Sequence, residues 1–186
     1  MTCHGGFSLE ESIRRKWYNP ESILMDTGLK ANMVFMDVGC GDGFFSMLAS
    51  EIVGPGGIIY ALDIDASAIE RLKRQAEDLG LTNIKAAAGS AEETVFCRRC
   101  VDVVFFGMVL HDFSSPEKVL LNSKKMLKQT GVLVNLDWKK ERMSFGPPMH
   151  MRFSENKAAE LLKQAGFTVA GIKEAGPYHY VVMAKP

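Results

Sequence analysis

Asp37 closes an apolar run, two residues before the first of three alternating glycines, Gly39, Gly41 and Gly43. A carboxylate at that point favours a cationic ligand group such as an ammonium and disfavours a pyrophosphate. Glycines there permit a tight turn and let the backbone approach a ligand. The dinucleotide pattern G-x-G-x-x-G would put its third glycine at position 44, which is Phe44. A second acid, Asp63, follows Gly43 by twenty residues, and a carboxylate so placed accepts the two hydroxyls of a ribose. His111 follows one strongly apolar segment and Asp137 ends another, which makes them the first and second candidates for a general base. A loop histidine satisfied by backbone is the plainer reading of His111. Cys97 and Cys100 have metal-ligand spacing, but no second C-x-x-C exists. Cys3 and His4 would have to complete a site from the terminus, so no metal is expected and the pair reads as two free thiols.

Those residues need a frame that brings segment ends together. Continuous apolar runs at 33–38, 57–64, 84–89, 101–110 and 132–136 read as strands. Between them lie helical patterns at 44–53, 67–80 and 114–131, and another follows at 154–167. Asp65 fits the N-cap of the second helix, which leaves Asp63 free. Ser115 with Pro116, and Ser154, mark later helix starts; Gly80, Gly131 and Gly166 mark helix ends. Two last strands, 167–175 and 178–185, flank Gly176–Pro177 as an antiparallel hairpin. Wholly apolar strands alternating with helices imply a parallel sheet covered on both faces. The expected fold is therefore α/β, a doubly wound, mostly parallel seven-stranded sheet with an antiparallel C-terminal strand. Upstream, a capping box at 8–11 and Asn19–Pro20 predict short helices within about residues 1–30, packed over the edge or mouth of the sheet. The Gly/Pro/Met-rich stretch 139–153 has the length and irregularity of a lid, with Met149 and Met151 as adaptable apolar groups. Asp102 reads as structural, and Tyr178 and His179 as surface residues of the hairpin.

The chain has 186 residues, 47% of them hydrophobic, which fits one domain over 1–186 with a sizeable core. Lys and Arg number 22, as do Asp and Glu, so the basic excess of a nonspecific nucleic-acid binder is missing. No apolar run reaches the roughly 18 residues of a membrane span, and no secretory pattern opens the chain. A cytoplasmic protein is expected.

In a doubly wound sheet, ligands bind outside the carboxyl ends of the strands. Asp37 and the glycines then face a cationic, amino-acid-like end, Asp63 a ribose, and Ser90 with Ala91, after the third strand, a purine edge. With "VFMDVGCGDG", "YALDID", "GSAEE", "VDVVFFGMVLHDF" and "LKQTGVLVNLDW" in this order, the sequence resembles the class I S-adenosylmethionine-dependent methyltransferases from about residue 20 to residue 185. The resemblance implies that Asp37, Gly39, Cys40, Gly41 and Asp42 hold the methionine part of the cofactor. It implies Asp63 on the ribose, Ile64 on the adenine face, Ser90 and Ala91 at the adenine edge, and Gly107 and Met108 beside the sulfonium. Many relatives have Asp where this chain has Ser90; a neutral hydroxyl accepts more weakly, and Glu92 is a substitute. The implied function is methyl transfer to a small-molecule acceptor, with no nucleic acid. The alternatives are a non-catalytic cofactor-binding or scaffold protein on the same fold and an NAD(P)-dependent oxidoreductase, the latter disfavoured by Phe44.

Overall fold

The computed structural model describes residues 11–186. Cys3, His4 and the start of the capping box at 8–11 lie outside the described residues. Two short helices come first, α1 (Glu11–Trp17) and α2 (Pro20–Asp26), the second capped by Asn19, whose side chain accepts from Ser22 N at 2.9 Å. The alternating core follows: β1 (Val34–Val38), α3 (Phe44–Val53), β2 (Ile58–Asp63), α4 (Ala66–Asp78), β3 (Ile84–Ala88) and β4 (Val101–Gly107). A 3₁₀ turn (Leu110–Asp112) leads to α5 (Pro116–Met126) and β5 (Leu127–Trp138), then the irregular stretch 139–153. The chain ends with α6 (Glu155–Gln164), β6 (Thr168–Ala175) and β7 (His179–Lys185).

The seven strands form one open sheet in the order β3-β2-β1-β4-β5-β7-β6. All neighbours run parallel up to β5, and β7 lies antiparallel between β5 and β6. Strand order reverses between β1 and β4, so the carboxyl ends of these two strands open a crevice between their following loops. Both faces of the sheet are covered, as wholly apolar strands require. One face packs α5 and α6 through Leu120, Met126, Ala158 and Leu162; the other packs α2 and α3 through Leu24, Phe45, Ala49 and Val53. Among the described residues, no helix is long and apolar enough to cross a membrane.

The spacing of residues 114–131 predicts one helix, but α5 stops at Met126 and β5 begins at Leu127. Leu127 is already extended (φ −70°, ψ 136°) and pairs with Val101. Both carboxylate oxygens of Asp102 hold Lys128 Nζ at 2.8 Å, and Asp102 also accepts from Val34 N. Gly131 is therefore no helix stop. A Cβ there would lie 2.8 Å from a Leu127 methyl and 2.9 Å from the Asp102 carbonyl, so glycine lets β5 pass. Ser115 sits at the start of α5 without a side-chain cap bond; its N–H donates to Glu92 instead. Cys97 and Cys100, expected as free thiols, are brought together as a pair. The turn between them brings their Cα atoms to 6.1 Å, within disulfide range.

His179, expected at the surface, is fully buried, its ring 4.3 Å from that of Trp138. Burial, with Arg152 and Lys139 nearby, lowers its pKa to about 3 and keeps it neutral. It belongs to an aromatic cluster that unites α1, β5, the 139–153 stretch and the hairpin. Trp17 stacks on Phe145 at 5.0 Å and meets Trp138 edge-on at 5.5 Å. The N-terminal helix is thereby fastened over the mouth of the sheet.

Candidate active site

A cleft of about 850 Å³ opens at the carboxyl ends of β1 and β4. Asp37, Gly39, Cys40, Gly41 and Asp42 line it from the first loop, and Gly107 and Met108 from the end of β4. Seven of the cofactor residues that the resemblance implied thus share one cavity. Phe44, Asp112, Trp138, Gly146 and Pro147 line it as well, and Arg14 reaches in from α1.

The first loop turns because Gly39, Gly41 and Gly43 all have positive φ (70°, 53° and 85°). Their missing side chains make room for different things. A Cβ on Gly39 would strike Val109, and one on Gly43 would strike Leu72 of α4. Only Gly41 faces open space. Close approach to a ligand is therefore a property of Gly41, while Gly39 and Gly43 let the loop lie against the protein itself.

Asp37 is 2% exposed, and one of its oxygens accepts from Ser46 Oγ at 2.7 Å. Burial raises its pKa from 3.8 to about 7, against the Ser46 bond and the distant Arg14 charge. A buried acid at the edge of a cleft is poised to ionise when a cation arrives. Arg14 supplies the opposite charge. Its guanidinium lies 4.9 Å over the Phe44 ring, and its Nε is buried with no hydrogen-bond partner among the described residues. Sequence reasoning missed Arg14, because one arginine in a short basic helix carries no signature. Cys40 is half-buried, and burial with three nearby acids holds its thiol neutral. Asp42 accepts from Arg71 Nε at 2.8 Å, which fastens the loop to α4.

Asp63, Ile64, Ser90 and Ala91 lie outside this cleft, at the carboxyl ends of β2 and β3. Asp63 reaches the loop directly, since Gly41 N donates to its Oδ2 at 2.7 Å, while Asp65 N donates to its Oδ1 at 2.9 Å. Asp65 caps α4 through Ser67 N, as expected. Ile64, next to Asp63 in the chain, is 64% exposed. Ser90 Oγ is engaged with Glu92, and the other Glu92 oxygen accepts from Ser115 N. Glu92 thus holds the loop together. Ala91 is buried, its carbonyl accepting from Asn122.

The two candidate bases meet each other. His111 Nδ1 lies 2.8 Å from Asp137 Oδ1, and both side chains have 0% exposure. Trp138 N also donates to Asp137 Oδ1. Burial lowers the His111 pKa, but the Asp137 bond and charge outweigh it and the net shift is upward. Neither residue lines the cleft, which corrects their expected place. Asp112, next to His111 on the 3₁₀ turn, does line it.

Arg152 is 2% exposed, and its guanidinium donates to four carbonyls of the 139–153 stretch. These are Lys139 (3.3 Å), Glu141 (3.2 Å), Phe145 (2.8 Å) and Pro147 (2.7 Å). Met149 is 49% exposed and Met151 half-buried; neither lines the main cleft. Among the described residues, no three His, Cys, Asp or Glu side chains gather as metal ligands.

The sequence matches the methyltransferase domain family over residues 29–175. A solved S-adenosylmethionine-dependent methyltransferase from Aquifex aeolicus is 32% identical, with a TM-score of 0.88 over 92% of this chain and 91% of that one. A probable cobalt-precorrin-6B C(15)-methyltransferase (decarboxylating) from Sulfurisphaera tokodaii is 33% identical over 54% of this chain and 50% of its own length. A demethylmenaquinone methyltransferase from Geobacillus kaustophilus is 26% identical over 68% of this chain and 54% of its own. The chain spans about half the length of these curated relatives.

Proposed function

We propose, because the chain belongs to the methyltransferase domain family, that it transfers a methyl group from S-adenosylmethionine to a small-molecule acceptor. The observation that carries the reading is the meeting of buried Asp37, open Gly41 and Asp63 around one loop at the switch point. When bound, the cofactor supplies a methyl carbon already electrophilic on its sulfonium, so the protein's work is alignment and exclusion of water. Asp37 holds the cofactor's ammonium. Arg14 holds its carboxylate, the zwitterion's other end, and the donors include Nε, which has no partner among the described residues. The Gly39–Asp42 loop lies along the methionine part, Asp63 takes the ribose hydroxyls, and Ile64 covers the adenine. Ser90 and Ala91 border its edge, and Gly107 with Met108 flank the sulfur.

The acceptor enters on the side of Phe44, Met108, Trp138 and Pro147, an apolar wall that favours a small, partly apolar compound. The acceptors named for the two curated relatives are small molecules as well. Calorimetry with S-adenosylmethionine tests the reading; a folded sample that does not bind it is a scaffold rather than an enzyme. Titration with NADH tests the oxidoreductase alternative, and no binding is expected. A labelled-methyl screen over a panel of small phenols, amines and enolisable carbonyl compounds then identifies the acceptor class.

A further inference from the structure

The 3₁₀ turn after β4 sends two adjacent side chains in opposite senses: His111 inward to full burial, Asp112 outward, 49% exposed, into the cleft. A line of contacts joins them to β5. Asp137 Oδ1 is 2.8 Å from His111 Nδ1, and His111 Nε2 is 3.4 Å from Asp112 Oδ1. His111 Nε2 and Asp137 Oδ2 are buried without hydrogen-bond partners among the described residues. A carboxylate that lines the cleft, backed by an imidazole that is itself backed by a carboxylate, is the arrangement that proton transfer uses.

We propose that Asp112 is the catalytic carboxylate that meets the acceptor's reacting atom and takes its proton, with His111 and Asp137 as positioning residues. The inference rests on the methyl-transfer reading of the cleft. The acceptor atom forms its bond to the methyl carbon, the carbon–sulfur bond breaks with its electron pair left on sulfur, and the acceptor's proton passes to Asp112. The exposed half of the Asp112 carboxyl then returns that proton to water. Burial raises the Asp112 pKa, the His111 charge opposes the rise, and Asp137 adds to it. An acid shifted toward neutrality is the better base. The other charged groups facing the trio are Arg152, which acts on His111, and Arg14 and Asp37, which line the same cleft.

The test compares two cofactor analogues by calorimetry across pH. S-adenosylhomocysteine has a neutral thioether at the reacting position, whereas sinefungin carries an amine there. Wild-type protein is expected to bind sinefungin about tenfold more tightly, as a charge-assisted bond to Asp112 allows. In Asp112→Asn that preference disappears while S-adenosylhomocysteine binding stays, which also reports an intact fold. As pH falls, the wild-type preference fades when Asp112 takes up a proton. His111→Gln removes the neighbouring positive charge, so the fade moves to higher pH by about one unit. A preference that persists in Asp112→Asn, or a His111→Gln profile that does not move, overturns the proposal. If folded wild-type protein binds neither compound, it is the methyl-transfer reading that falls.

Discussion

Asp63 already accepts a backbone N–H at each carboxylate oxygen, Gly41 N at 2.7 Å and Asp65 N at 2.9 Å. Each oxygen keeps a second lone pair, so the acid can fix the loop and still receive two ribose hydroxyls. Asp63→Ala removes both functions. It should weaken S-adenosylhomocysteine binding by about 1–3 kcal/mol in calorimetry, and unchanged affinity would refute the ribose role. Arg14 is separable by choice of ligand. S-adenosylhomocysteine has an α-carboxylate, and methylthioadenosine has none. Arg14→Ala should weaken the first by about 1.5–3 kcal/mol and leave the second unaltered. Equal losses for both ligands would mean that Arg14 shapes the cleft rather than binding the carboxylate.

The elements meet at Arg152, which ties four carbonyls of 139–153 and lies 5.5 Å from the Trp138 ring. An irregular stretch without strand or helix partners needs such a hub, because its carbonyls are otherwise unsatisfied. Arg152→Ala should cost about 2–5 kcal/mol in denaturant unfolding and expose Lys139–Arg142 to trypsin. Arg152→Lys, with its charge but no fork, should fall between. Full protection of that segment in Arg152→Ala would show that the aromatic cluster alone holds the stretch. The sequence predicts an irregular connection there through Gly146, Pro147 and Pro148, but not the residue that organises it, since four carbonyl partners leave no pattern in side-chain types. The same limit explains β5. Periodicity over 114–131 is helical, and what ends the helix is pairing of Leu127 with Val101 and the Asp102–Lys128 pair, both long-range. Likewise the first loop is legible as a glycine turn. Which glycine faces a ligand depends on Val109 and Leu72, far along the chain. Local signals held where the cause is local, as at the Asn19, Asp65 and Ser154 caps.

At the scale of the whole molecule, Asp37 couples folding to ligand binding through one proton. Its pKa rises from 3.8 in the unfolded chain to about 7 in the fold. Below pH 4 or so both states hold the proton, and the contribution to stability is fully present. As pH rises toward 7, the unfolded chain ionises while the folded one does not. Stability should therefore fall by about 1.4 kcal/mol per pH unit across that window. Asp37→Asn should flatten this part of the profile, and the difference between the two unfolding curves isolates the residue from other titrating groups. Ligand binding has the opposite dependence. An ammonium beside Asp37 favours the carboxylate, so binding below pH 7 must expel the proton. Affinity for S-adenosylhomocysteine should drop by about tenfold per pH unit as pH falls below 7. Calorimetry at pH 6 in buffers of differing ionisation enthalpy should count close to one proton released by wild-type protein and none by Asp37→Asn. No release from wild-type protein, or equal release from both, would separate Asp37 from the ammonium. If the count holds, the buried acid is stable in the empty cleft because it is neutral, and it binds because it can become charged.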